Sequence, residues 1–129
     1  MNAVEVYKFG GASVRDAAAI RNVAQILKST PQRPLVIVIS AMGKTTNALE
    51  NIIHEHYKDP AAVPGLVNTL KAYHEEVALA LMADHADPLL TDLHDLWVEL
   101  NWILEEEPHP DFNYQYDQII VFGELAATK

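Results

Sequence analysis

Apolar positions open the chain at Val4, Val6, Tyr7 and Phe9 in near alternation, which predicts a short strand ending at Lys8 or Phe9. Gly10 and Gly11 then make a turn. Ser13 is expected to cap a helix, with Asp16 three positions on in a weaker version of the capping box. Val14, Ala17, Ala18, Ile20, Val23, Ala24 and Leu27 recur at helical spacing through Lys28, and "STPQRP" breaks that helix. The continuous β-branched run "LVIVIS", residues 35 to 40, suits a parallel strand buried on both faces. Strand, glycine turn, helix and strand together form a βαβ unit, whose crossover should be right-handed.

Beyond it the period changes. The turn "SAMGKTTN" leads into a helix from about Asn47 to His56. "YKDPAAVPG" reads as a linker. Two longer helices follow, roughly Leu66 to Met82 and Leu89 to Glu106. Leu89, Leu93, Leu96, Leu100 and Leu104 mark one face of the second, with Trp97 beside it. "EEPHPDFN" reads as a loop. In the last segment Ile119, Ile120, Val121 and Phe122 favour a strand by propensity, while "GELAAT" favours a helix. Two strands are too few for a free-standing parallel sheet. The chain also stops at Lys129 inside an apolar segment, so the expectation is a fragment of a larger α/β domain.

Composition narrows the function classes. The 129 residues carry a formal net charge of -9. That balance argues against a general binder of nucleic acid or anionic membrane, yet leaves room for a local phosphate pocket. With no cysteine there is no disulfide framework and no thiolate metal site. The N-terminus lacks the pattern of a secretory signal, and no apolar run reaches membrane-spanning length. The expectation is a cytoplasmic protein. The six histidines are scattered. His54 and His56, two apart, fall on different faces of a helix, and no metal-ligand cluster is assigned.

Three places carry candidate chemistry. In "KFGGAS" a lysine, two glycines and a helix start fall together, an arrangement that draws phosphate through free amides, the helix dipole and the Lys8 charge. The bland reading is a tight turn with a solvated lysine. "SAMGKTT" imitates a nucleotide-binding P-loop, but the first glycine of that motif would fall at Val38, inside the strand, which argues against such a protein. The turn still follows a strand and precedes a helix, where open α/β sheets bind ligands, and Ser40, Thr45 and Thr46 offer hydroxyls there. Helix capping is the bland role for them, Thr46 above all. In "VFGEL", Glu124 follows a glycine in an apolar segment, so burial would demand a partner such as a ligand ammonium group. The alternative is an exposed glutamate on a terminal helix.

Together these segments, "KFGGASV" at 8 to 14, "VISAMGKTTN" at 38 to 47 and "FGELAAT" at 122 to 128, resemble the aspartate kinases of the amino-acid kinase superfamily. Each is modest alone; the three in this order and at these separations are specific. They bracket nearly the whole chain, although the stretch between about 57 and 110 adds little beyond length. Ala12 departs from the threonine usual in the family, with the hydroxyl kept by the adjacent Ser13.

The resemblance implies a three-layer αβα fold of the carbamate kinase-like kind, with only its N-terminal, substrate-binding part present. The nucleotide-binding half and regulatory domains would lie outside residues 1–129. It implies ATP-dependent phosphorylation of the side-chain carboxylate of L-aspartate to 4-phospho-L-aspartate, the first step toward lysine, threonine, methionine and diaminopimelate. Mg2+ would accompany ATP, with no metal bound by the protein itself. Lys8, the catalytic cation, would join Phe9, Gly10, Gly11, Ser13 and Ser40 around ATP and its phosphates. Thr46 and Glu124 would bind aspartate, and the Gly-Glu segment would be helical. The partners implied are L-aspartate and ATP, without nucleic acid or membrane, and the parent would be a homo-oligomer. The alternatives are another superfamily member such as acetylglutamate kinase, against which "SAMGKTTN" and "FGEL" speak, or a non-catalytic binding or assembly fragment.

Overall fold

A computed structural model describes residues 3–30 and 34–129. Strands β1 (Glu5–Phe9) and β2 (Leu35–Ile39) pair in parallel, with Glu5 opposite Leu35 and Phe9 opposite Ile39. Helix α1 (Ala17–Ser29) makes the crossover between them. Helices α2 (Thr45–Lys58), α3 (Val63–Met82), α4 (Asp87–Glu105), α5 (Phe112–Ile120) and α6 (Phe122–Ala127) complete the chain.

The first turn differs from expectation. Ser13 does not cap α1. It lies in a 3-10 turn, Gly11–Val14, with its amide donating to the Gly10 carbonyl at 3.0 Å. Asp16 is the cap, its Oδ1 accepting from the Ala19 amide at 2.8 Å. A carboxylate can reach the third amide beyond it as a hydroxyl does, and it adds a charge that suits the helix N-terminus. The "STPQRP" break falls partly on residues 31–33, outside the described residues; α1 ends at Ser29.

The proline-rich stretch "YKDPAAVPG" is not a linker. Pro60–Ala62 forms a 3-10 turn and α3 begins at the buried Val63, with Pro64 in its first turn. Proline lacks the N–H that a first turn leaves unpaired anyway, so here it starts helices and separates nothing. The next loop is also shorter than "EEPHPDFN". Asp111 caps α5, accepting from the amides of Asn113 at 3.0 Å and Tyr114 at 3.3 Å. The tail is helical, as the resemblance implied and against the β-propensity of residues 119 to 122. Ile119 and Phe122 are buried among helices, and that packing outweighs local preference.

Among the described residues two apolar clusters hold the molecule. The larger joins Leu49, Ile52 and Ile53 of α2, Val67 and Leu70 of α3, Leu93, Leu96, Trp97 and Leu100 of α4, and Ile119 and Phe122 of α5 and α6. The smaller gathers Phe9, Val14, Val23, Met42 and Val77 between the strands, α1 and α3. Strand β2 departs from its expected double-sided burial: Val36, Ile37 and Val38 are 48%, 43% and 42% exposed. Its one strand neighbour among the described residues is β1, so much of its side-chain surface meets no second layer.

Candidate functional site

The two turns at the C-terminal ends of the strands are fastened to each other. The Ser40 amide donates to the Phe9 carbonyl and the Gly43 amide to the Gly11 carbonyl, both at 3.0 Å. A Cβ on Gly11 would lie 2.9 Å from the Gly43 carbonyl oxygen and 3.1 Å from that of Ala41. Glycine at 11 therefore makes room for the second turn. Gly10 is different: it is exposed, and nothing lies within 4 Å of where its Cβ would stand. Of the two glycines, Gly10 is the one left open to approach from outside.

Gly43 has φ +50°, the left-handed region, and a Cβ there would stand 2.8 Å from the Tyr73 hydroxyl. That hydroxyl donates to the Arg15 carbonyl, so α3 ties down the end of the first turn and presses on the second. Burial, then the neighbouring Asp16 charge, pushes the Tyr73 hydroxyl above its ordinary pKa, which keeps it a donor. Sequence reading missed Tyr73. Its spacing from Leu66 and Leu70 marks it as a core-facing position on α3, but Arg15 lies 58 residues away and leaves no local trace.

The third segment comes to the same place. At Gly123 a Cβ would stand 3.0 Å from the Ala41 Cβ, 3.3 Å from Leu49 Cδ1 and 3.4 Å from Thr45 Cγ2. This glycine lets α6 lie flush against the second turn and α2. Glu124 follows it in the first turn of α6 and is exposed, so its carboxylate needs no internal partner. Its charge reaches Tyr116, whose pKa is raised chiefly by a 2.8 Å hydrogen bond to Glu50, then by burial and nearby carboxylates including Glu124.

The candidate residues therefore sit at different depths. Lys8, Gly10, Ser13 and Glu124 are exposed; Gly11, Ser40 and Thr46 are half-buried. The Phe9 ring lies in the smaller core and offers a site only its backbone. Thr46 is in the first turn of α2 but makes no side-chain cap there. Thr45 is almost fully buried with its hydroxyl unpartnered.

Beside the turns opens a cleft of about 820 Å³. Ala12, Arg15 and Asp16 contribute from the first turn and its exit, Gly43 and Lys44 from the second, and Leu66, Leu70 and Tyr73 from α3. Away from it, two histidines are buried. His74 Nδ1 lies 2.9 Å from the Leu70 carbonyl oxygen, and its ring stands edge-on to Trp97 at 5.1 Å. His56 is buried with both ring nitrogens unpartnered, whereas His54 is exposed, as their spacing predicts. Burial lowers the pKa of both buried rings, against smaller opposing effects from Glu107 at His56 and the Leu70 hydrogen bond at His74. Among the described residues no three potential metal ligands cluster, and no helix is long and apolar enough to cross a membrane.

Residues 3–120 match the model of the amino acid kinase family. Aspartokinase 2, chloroplastic, of Arabidopsis thaliana is 54% identical over 44 residues, 34% of this chain and 8% of that protein. Aspartokinase of Mycolicibacterium smegmatis is 37% identical over 83 residues, 63% of this chain and 19% of that one. Bifunctional aspartokinase/homoserine dehydrogenase 2 of Escherichia coli is 32% identical over 88 residues, 67% of this chain and 11% of that one. The fold is similar to crystal structures of E. coli aspartokinase III. The complex with aspartate and ADP superposes with a TM-score of 0.84 at 21% identity, over 98% of this chain and 27% of that one. The complex with lysine and aspartate gives 0.83 at 22% identity, over 97% of this chain and 27% of that one. The α/β fold class read from the sequence agrees with these superpositions. The matches cover less than a third of each relative's length.

Proposed function

The chain belongs to the amino acid kinase family, and on that premise we propose that it is the N-terminal, substrate-binding part of an aspartate kinase. The observation that carries this reading is the convergence of three segments distant in sequence: Gly11 bonded to Gly43, and Gly123 packed on Ala41 and Thr45. Curated relatives that match this chain are aspartokinases, and one structural neighbour is a complex with aspartate and ADP.

In the proposed reaction an oxygen of the aspartate side-chain carboxylate attacks the γ-phosphorus of ATP. The bond from that phosphorus to the β,γ-bridging oxygen breaks, and ADP leaves with the electron pair. Such transfer demands mainly that two anions be positioned and spreading charge neutralised. Lys8, exposed at the end of β1, supplies the cation. Gly10 leaves open space for a phosphoryl group, and Ser13 and Ser40 provide hydroxyls on either turn. Thr46 and Glu124 take the aspartate, Glu124 as counter-charge to its ammonium. The helix-terminus argument is narrowed by Asp16, which occupies the N-terminus of α1; the phosphate side rests on Lys8 and the turn backbone. Mg2+ arrives with ATP as part of the substrate. The nucleotide-binding half and regulatory domains belong to other parts of the full-length protein, which acts in the cytoplasm as a homo-oligomer in amino-acid biosynthesis.

The test is a hydroxylamine trap on the full-length protein with ATP, Mg2+ and candidate acceptors. Formation of the aspartyl hydroxamate is expected. Preference for N-acetylglutamate would replace this reading with acetylglutamate kinase, and binding of neither aspartate nor ATP would leave an assembly module. The 129-residue chain alone is expected to show no turnover above background.

A further inference from the structure

The cleft beside the turns is bordered by Ala12, Gly43, Lys44, Thr45 and Asn47 of the first two motif segments, but by none of the residues proposed above to hold phosphate or aspartate. Lys8, Gly10, Gly11, Ser13, Ser40, Thr46 and Glu124 are all absent from its lining. We propose that this cleft is a separate ligand site, selective for a small carboxylate carried on an apolar body. The proposal stands apart from the kinase reading.

Size is the first argument. About 820 Å³ lies within the roughly 300–1,000 Å³ typical of small-molecule sites. The lining has an apolar wall, interrupted by the polar side chains of Thr45, Asn47 and Thr69. Leu66, Leu70 and Tyr73 of α3 form that wall, and the Asn51 side chain adds a polar group from α2. Tyr73 is held in place by its hydrogen bond to the Arg15 carbonyl, so the wall is pre-formed.

Charge is the second argument. The chain as a whole is strongly acidic at -9. This lining instead brings two cations, Arg15 and Lys44, against a single carboxylate, Asp16. Asp16 is already engaged, accepting from the Ala19 amide at 2.8 Å and lying 3.5 Å from Arg15 Nε. That contact uses only one nitrogen of an arginine whose side chain is 67% exposed. Lys44 is exposed and makes no ion pair among the described residues. A carboxylate suits a guanidinium fork with a second cation beside it. The apolar wall selects a guest with a hydrophobic body over inorganic phosphate.

Phenylacetate is the probe, added to the isotopically labelled 129-residue chain at constant ionic strength and followed by amide chemical shifts. Saturable shifts are expected at Lys44, Thr69 and Tyr73. Phenylacetamide, of the same shape without the charge, should bind roughly tenfold or more weakly, the scale of one lost charge-assisted bond. The double variant Arg15→Gln, Lys44→Gln should weaken phenylacetate by a similar factor. Both side chains are exposed, and an otherwise superimposable spectrum reports an intact fold. Equal affinity for acid and amide, or for wild type and double variant, would overturn the proposal. So would shifts confined to Val36–Val38, which would place the probe on the open sheet. Failure to saturate at tens of millimolar would overturn it as well.

Discussion

The helical part and the strand part of this chain are built from similarly apolar sequence and end in different states. In the helices, Leu49, Ile52, Ile53, Leu100 and Ile119 are 0% exposed. In the strands, Val36, Ile37 and Val38 remain more than 40% exposed. A helix buries one stripe, and α2 to α6 supply enough stripes to close on one another. A parallel strand has two apolar faces and two bonding edges, so it is covered only by further strands and layers. The candidate chemistry lies on the less covered side, at turns whose glycines and hydroxyls are fixed by a few specific contacts. Burial thus gives stability to one region and leaves reach to the other.

The sharpest way to break this comparison is to truncate one side chain from each region. Leu100→Ala removes a fully buried group and should lower unfolding free energy by about 2–5 kcal/mol. Val38→Ala should cost under about 1 kcal/mol, since much of the side chain already meets water. Denaturant midpoints of the two variants settle it; equal losses would mean that the strands contribute to stability as the helical core does.

Lys8→Ala tests the converse. The exposed lysine should matter little for folding. In the full-length protein its removal should lower kcat roughly 10²- to 10³-fold, about 3–4 kcal/mol, far more than it raises the KM for aspartate. Activity within about threefold of wild type would reduce Lys8 to a solvated turn residue.

The paired glycines divide along the same line. Gly11→Ala forces a methyl against two carbonyl oxygens and should destabilise by about 1–3 kcal/mol. Gly10→Ala meets open space at φ -76°, which any residue adopts. It should be neutral or stabilising by up to about 1 kcal/mol, while a methyl at the approach side should impair activity in the full-length protein. Thermal unfolding of both variants distinguishes a packing glycine from an access glycine.

The smallest effect is a pH dependence confined to the helical region. His56 and His74 have folded pKa values lowered below the ordinary 6.5. The unfolded chain therefore takes up protons first as pH falls. Their contribution to stability is complete above about pH 6.5 and declines below it, at no more than about 1.4 kcal/mol per pH unit for each ring. Unfolding curves at pH 7.5 and 5.5 should show the loss. The double variant His56→Leu, His74→Phe should flatten it, and an unchanged slope would assign acid sensitivity to the carboxylates.

Period alone revealed most of the elements. The β-branched run at 35 to 39 and the leucine stripe of α4 are patterns that a single segment displays without help, because strand and helix repeat at 2 and about 3.6 residues. Asp16 was also legible, one role away from its true one. Proline misled at 60 and 64, because the residue that ends a helix also begins one. Propensity left the tail open between strand and helix, because Ile119 and Phe122 answer to neighbours on other helices; the resemblance gave the helix that the structure has.

What the sequence determined by itself was therefore local: turn glycines, helix faces, the identity of three conspicuous segments and the charge of the whole. Only the tertiary structure decided that Gly11 faces Gly43, that Gly123 lies on Ala41, and that Tyr73 crosses 58 residues to hold Arg15. It alone distinguished Gly10 from Gly11 and gathered two cations at one cleft of an acidic chain. The reason is physical. Backbone preference and side-chain period act over a few residues, whereas close approach and charge accumulation depend on which surfaces packing brings together.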